Sequence, residues 1–179
     1  MAYVHADTVV GVQPIDVIET TQKHPLGLEV DVRENVTNFT GRAVYVAFKV
    51  STAVAAGIVV ANETLVGGTS TPFRVIAAST TTGTGEPLFV NLNAVSSNAS
   101  LQYGWVLVVG VAPTLKTAVR PLAASNVGIS ATAGRVFISA TSADQILGAR
   151  FMKSSVTTTT SLVDIYINRP SKMGAVTAA

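Results

Sequence analysis

Apolar and polar side chains alternate with a period of two in short runs along this chain. Leu28, Val30 and Val32 alternate with Glu29, Asp31 and Arg33, and Val44, Val46, Phe48 and Val50 with Tyr45, Ala47 and Lys49. Leu88, Val90 and Leu92 repeat the pattern, as do Val163, Ile165 and Ile167. Successive side chains of a strand point to opposite faces, so this spacing predicts β-strands with one face buried. Turn residues bound further expected strands at 7–13, 72–78, 135–140 and 145–152. Residues 103–113 differ: Trp105, Leu107, Val109 and Val111 line one face, while Val106 and Val108 line the other. A strand apolar on both faces is buried on both, between two sheets or between a sheet and a neighbouring subunit.

No segment sustains a helical period. The alanine-rich stretch 51–61 contains Gly57 followed by Ile58, Val59 and Val60, which reads as a turn and then a strand. The loops at 66–71 and 79–85 are threonine and glycine, and 156–161 reads as an edge strand or a hairpin tip. Many short strands and no helix predict an all-β fold, an antiparallel β-sandwich or a jelly-roll-like β-barrel. The expected organisation is an extended N-terminal arm over 1–24, a β domain over 25–170 and a C-terminal tail over 171–179.

Composition supports the β reading. The chain has 28 valines, 24 alanines and 22 threonines against 11 leucines, and branching at Cβ favours strands. Only 12% of the 179 residues are charged, against about 25% in an ordinary globular domain. Mean hydropathy is +0.46. The excess of apolar residues points either to a membrane or to protein partners. A membrane span needs about 20 apolar residues, and the best candidate, 44–61, is broken by Lys49, Ser51 and Thr52. Residues 1–7 lack the pattern of a secretory signal. The charges, netting +2, are scattered singly and form no basic stripe for nucleic acid.

Candidate chemistry is sparse. There is no cysteine, so disulfides, thiolate metal sites and cysteine nucleophiles are excluded. His5 and His24 both fall in the front segment and read as solvated. Gly83 and Gly85 have no Lys-Ser/Thr after them to complete a phosphate loop. Glu29 and Asp31 share a strand face near Glu34 and could offer oxygens to calcium. The plainer reading is a solvent face with Arg33 pairing locally. Trp105 begins an apolar strand, which favours core packing over a sugar-stacking platform. No catalytic residue, cofactor or metal site is expected.

The order of short motifs resembles a known family. His24 to Gly27 opens a strand, Gly41 to Lys49 follows a polar turn, and Ala55 to Val60 comes next. Then come Gln102 to Val106 with its Tyr103-Gly104-Trp105 core, Ala133 to Val136, Ile146 to Gly148 and Val163 to Pro170. Across roughly 20–170 this is similar to tailed-bacteriophage virion structural proteins, among them capsid decoration (cement) proteins. Val106, Leu107 and Val108 follow the tryptophan here, where polar residues are common in that family. The resemblance implies an all-β homotrimer without an active site, seated on the outer surface of an icosahedral head and bound to the major capsid protein. Neither nucleic acid nor membrane is an expected partner. Candidate capsid or subunit contacts are Val9, Val10, Val12, Ile15, Val17 and Ile18 of the arm, with Tyr103 and Trp105. The arm is expected to add strand bonds to a neighbouring sheet. Two other roles remain open on the sequence: a tail or spike component, and a carbohydrate-binding β-sandwich.

Overall fold

The period-two runs form strands. In chain order these are β1 (Tyr3–His5), β2 (Glu29–Glu34), β3 (Thr40–Phe48), β4 (Val59–Thr64), β5 (Ser70–Ala77) and β6 (Leu88–Asn91). β7 (Gln102–Lys116), β8 (Asn126–Ile129), β9 (Val136–Ile138), β10 (Gln145–Phe151) and β11 (Ser161–Lys172) complete them. The computed structural model describes residues 3–6, 11–49, 51–64, 70–82, 84–117, 121–139, 144–154 and 159–173, and no α-helix occurs among them. The fold is all-β. The strand expected over 7–13 is not seen at 11–13, and its first residues lie outside the described set. β11 runs on to Lys172, two residues into the expected tail.

The eleven strands share one sheet in the order β1-β2-β3-β5-β4-β6-β7-β11-β10-β8-β9. The sheet is mixed, because β3 pairs with β5 in parallel and β7 with β9 in parallel. The crossover that puts β4 beyond β5 forces the first of these. Two pairings outside the linear order, β3–β7 and β7–β9, turn the sheet back on itself. Strands β3, β5, β4, β6 and β7 thereby close one ring of hydrogen-bonded pairs, and β7, β11, β10, β8 and β9 close a second. The fifteen-residue β7 belongs to both. Among the described strands only β1 has a neighbour on one side alone.

Two cores result. Val44, Val46, Phe48, Val60, Val75, Phe89, Val106 and Val108 form the smaller. Tyr45, Val59, Leu88, Val90, Trp105, Leu107, Ala112 and the inward residues of β8 to β11 belong to the larger. Both faces of β7 are therefore buried within the chain, and so are both faces of β3 and β6. The apolar excess that suggested subunit burial at 103–113 has an internal explanation.

The inward phase of β7 changes along its length. Trp105 and Leu107 face the larger core with odd numbers, but Ala112 does so with an even one. Gly110, at φ 131°, absorbs the change in a conformation that a side chain resists. Beyond it Thr114 and Lys116 are also fully buried. The Lys116 Nζ donates to the Thr159 carbonyl at 2.7 Å, so its ammonium is satisfied by backbone. Buried Lys172 of β11 likewise donates to the carbonyls of Thr80 and Thr82, which fixes one side of the 79–85 loop.

Candidate functional site

The front segment is built into the sheet. Gln13 is its anchor and is almost fully buried. The Gln13 carbonyl accepts from Trp105 Nε1 at 3.0 Å and from His5 Nε2 at 3.0 Å. Its N–H donates to His24 Nε2 at 2.9 Å. Its side-chain Oε1 accepts from the Tyr45 hydroxyl at 2.9 Å, while Nε2 donates to the Val17 carbonyl at 2.7 Å. Glu19 and Tyr103 exchange two backbone bonds, Glu19 N–H to Tyr103 O at 3.0 Å and Tyr103 N–H to Glu19 O at 2.7 Å. Around this hub the rings of His5, His24, Tyr45 and Trp105 meet with centroids 5.1–5.9 Å apart.

These bonds settle both tautomers. A backbone N–H needs an acceptor, so His24 Nε2 carries no proton; a carbonyl needs a donor, so His5 Nε2 carries one. Neither histidine is the solvated side chain expected from its position. Ionisation of the nearby phenols is disfavoured. Burial pushes the Tyr3 hydroxyl up to about 12, and the hydroxyl donates to the Val111 carbonyl. Burial raises Tyr45 as well.

The expected contact residues separate into three groups. Val9 and Val10 lie outside the described residues. Ile15 and Trp105 are turned into the larger core, with 3% and 0% exposure. Trp105 therefore offers no face for sugar stacking. Val12 and Tyr103 are half-buried against the same core, and Tyr103 stacks on Tyr45 at 6.4 Å. Ile18 lies against the smaller core, and its side chain occupies the space a Cβ on Gly104 would need. Val17 is half-buried and serves through its carbonyl. The described part of the segment expected as an arm thus contacts its own chain.

A cavity of about 400 Å³ opens where this segment meets the two rings. Tyr3 and His5 of β1, Ile15 and Asp16, Ala56 and Gly57 before β4, and Asn91 to Asn93 at the end of β6 line it, with Pro113 and Leu162. Asn91 is 1% exposed. Its Nδ2 donates to the carbonyls of Ala55 at 2.9 Å and Asn93 at 2.5 Å, and Asn93 Nδ2 donates to the Ile15 carbonyl at 2.6 Å. Asn91 Oδ1 and His5 Nδ1 are buried without a hydrogen-bond partner. No motif in the sequence singles out Gln13 or Asn91, because an isolated amide has no signature until the fold surrounds it.

The acidic group on β2 divides. Glu29 and Asp31 share a face, as alternation requires, but both are engaged by cations. Arg169 Nη1 and Nη2 lie 2.9 and 2.7 Å from the two Glu29 oxygens, and Arg42 bonds Asp31 at 3.2 Å. The Arg169 bonds, together with the charge of Arg42, hold the Glu29 carboxyl below its usual range. Glu34 faces inward and caps the β2–β3 turn, accepting from Val36 N–H at 2.9 Å and the Thr37 hydroxyl at 2.6 Å. No cluster of three metal-ligating side chains occurs among the described residues.

Among the described residues, Leu28, Val36, Phe39, Leu122, Leu147, Met152 and Leu162 are large apolar side chains that remain exposed. Val36 and Phe39 sit on the β2–β3 turn. Leu122 and Met152 lie on adjacent stretches, since residues 123–125 bond to 151 and 154, and Leu147 of β10 is exposed too. Comparison with family models, with curated proteins and with solved structures finds no match.

Proposed function

We propose that this chain is a capsid decoration protein of a tailed bacteriophage. In this reading it binds the outer surface of the assembled head as a homotrimer and braces contacts between major capsid subunits. The ring closures support a barrel-type β fold, with β7 shared by both rings of pairings. The motif order along the chain supplies the family reading. The observation that carries the mode of action is the exposure of large apolar side chains, of which two groups lie far apart in the strand order. Val36 and Phe39 lie toward one end of the strand order, and Leu122 and Met152 toward the other. Two unlike sites that join across copies make a heterologous contact, and such contacts form a ring when their rotation closes, as in a trimer.

Internal closure also suits a shell protein. A sheet with almost no open edge offers little for unplanned strand pairing. Partner recognition then falls to side chains, and exposed apolar groups supply it without the desolvation cost of charges. Light scattering after size-exclusion chromatography is expected to give three chain masses. Incubation with undecorated heads is expected to show saturable binding and a higher rupture temperature. A strict monomer that leaves heads unchanged would overturn the reading.

A further inference from the structure

We infer that His24 is a proton-sensitive latch on the front segment, and that a second proton on its ring loosens residues 13–19 from the sheet. The inference does not rest on the capsid reading. His24 is held from its own side. Pro25, which follows it, narrows its backbone freedom, and Gln22 Nε2 donates to its carbonyl at 2.8 Å. The chain then joins β3, where Gly27 N–H donates to the Tyr45 carbonyl at 2.8 Å and Tyr45 N–H to the Leu28 carbonyl at 2.9 Å. From this wall His24 Nε2 accepts the Gln13 N–H at 2.9 Å.

That bond exists in one protonation state only. A neutral imidazole keeps one nitrogen as an acceptor, whereas an imidazolium has two donors and no acceptor. Turning the ring over does not restore the bond, because a C–H then takes the place of Nε2. His5 differs. It donates from Nε2 to the Gln13 carbonyl, and a donor nitrogen remains a donor when the ring gains a second proton. The surroundings of His24 do not compensate a charge. Tyr45 on β3 and Trp105 on β7 meet its ring at 5.1 and 5.9 Å. Burial raises the Tyr45 hydroxyl, which keeps the phenol neutral, and Tyr103 stacks on Tyr45. Lys23 and Glu19 of its own segment pair with each other at 3.3 Å. No ion pair joins His24 to a carboxylate among the described residues. The charged ring is therefore accommodated when the segment is detached. A solvated histidine titrates near pH 6.5, so detachment is favoured about tenfold more at pH 5.5 than at pH 7.5. Detachment undoes the two backbone bonds between Glu19 and Tyr103 and withdraws Ile18 from Gly104.

The test uses the full-length chain, labelled with nitrogen-15, between pH 7.5 and 5.5, where ordinary carboxylates stay ionised. Hydrogen exchange of the Gln13, Glu19 and Tyr103 amides is read as a ratio to amides between β10 and β11, which cancels the direct effect of pH on exchange. The ratio is expected to rise about tenfold as pH falls, in step with protonation of His24 followed by its ring nitrogen resonances. The fluorescence of Trp105, the single tryptophan, should change over the same range. His24→Gln supplies an acceptor that takes no charge and is expected to hold the ratio flat, while His5→Gln is expected to keep the parent's rise. If His24→Gln detaches the segment at every pH, the coincidence of ring protonation and amide opening in the parent still decides. A flat ratio in the parent, a charged His24 beside protected amides, or a tenfold rise retained by His24→Gln would each overturn the inference.

Discussion

At the scale of single residues, Gln13 does what a longer hydrophobic contact does elsewhere. It is a polar residue in a greasy environment, and every polar atom of it has a partner. Gln13→Ala keeps the backbone bonds but removes the side-chain amide contacts and leaves the Tyr45 hydroxyl proton without an acceptor, although its oxygen still accepts from Lys23 N–H. A loss of roughly 1–3 kcal/mol is expected in chemical denaturation, the usual result of orphaning buried groups. Tyr3 makes a prediction in pH. Its folded-state value of about 12 lies above the ordinary 10.0, so the folded chain holds the phenol proton more tightly. This stabilisation is complete below pH 10 and is lost as pH rises toward 12. Its size is about 3 kcal/mol, from two pKa units at 1.36 kcal/mol each. Denaturation of the parent and of Tyr3→Phe across that window should show the parent losing stability faster; parallel curves would refute it. Neither role was legible in the sequence. His5, Gln13 and His24 belong to a stretch with few apolar positions, and their worth comes from Tyr45 and Trp105, which the fold brings from far along the chain.

At the scale of elements, the period of two located most strands. Residues 28–33, 44–50, 72–78, 88–92, 103–113, 145–152 and 163–167 all correspond to β2, β3, β5, β6, β7, β10 and β11, within a few residues. β8 escaped notice because Asn126-Val127-Gly128-Ile129 is short and has a glycine inside it. The partition of each strand was harder to see. β3 reads as one buried face, yet Tyr45 and Ala47 are as deeply buried as Val44 and Val46. Alternation cannot reveal a second core on the far side when the residues there are small or aromatic. The front segment shows the converse: low apolar content reads as an arm, and among its described residues a few well-placed groups hold it to its own chain. Gly104 tests that attachment. Ile18 Cδ1 could turn aside for a single Cβ, but Gly104→Leu fills the space that the Ile18 side chain occupies, so the 17–19 stretch should lift from β7. Hydrogen exchange at the Glu19 and Tyr103 amides is expected to quicken by about tenfold or more, since local opening sets such rates. Amides between β10 and β11 should be unaffected, and equal acceleration there would mean global destabilisation instead.

At the scale of the whole molecule, the unlike apolar sites make assembly testable by complementation. Phe39→Asp and Leu122→Asp change exposed side chains, at 44% and 63% exposure, so each variant should fold. Each alone should fail to trimerise, because burying an unpaired carboxylate in an interface is strongly unfavourable. Mixed together, they retain one intact pairing and should form a heterodimer visible by light scattering. A mixture that stays monomeric would argue against a head-to-tail contact.

The shared strand β7 also has a consequence in time. The first ring has all of its strands once residue 116 has been made, but the second waits for β11, which ends at Lys172. Between those moments the far edge of β7 has no partner from its own chain. An open edge invites any passing strand, and pairings this distant in sequence form slowly. The β11 of another copy carries the same register and is the best competitor. Refolding at rising concentration should therefore divert chains into dimers that have exchanged β11, which light scattering would detect as concentration-dependent species. The wall that joins the two rings is thus the last to be secured and the point at which two folding copies can become entangled.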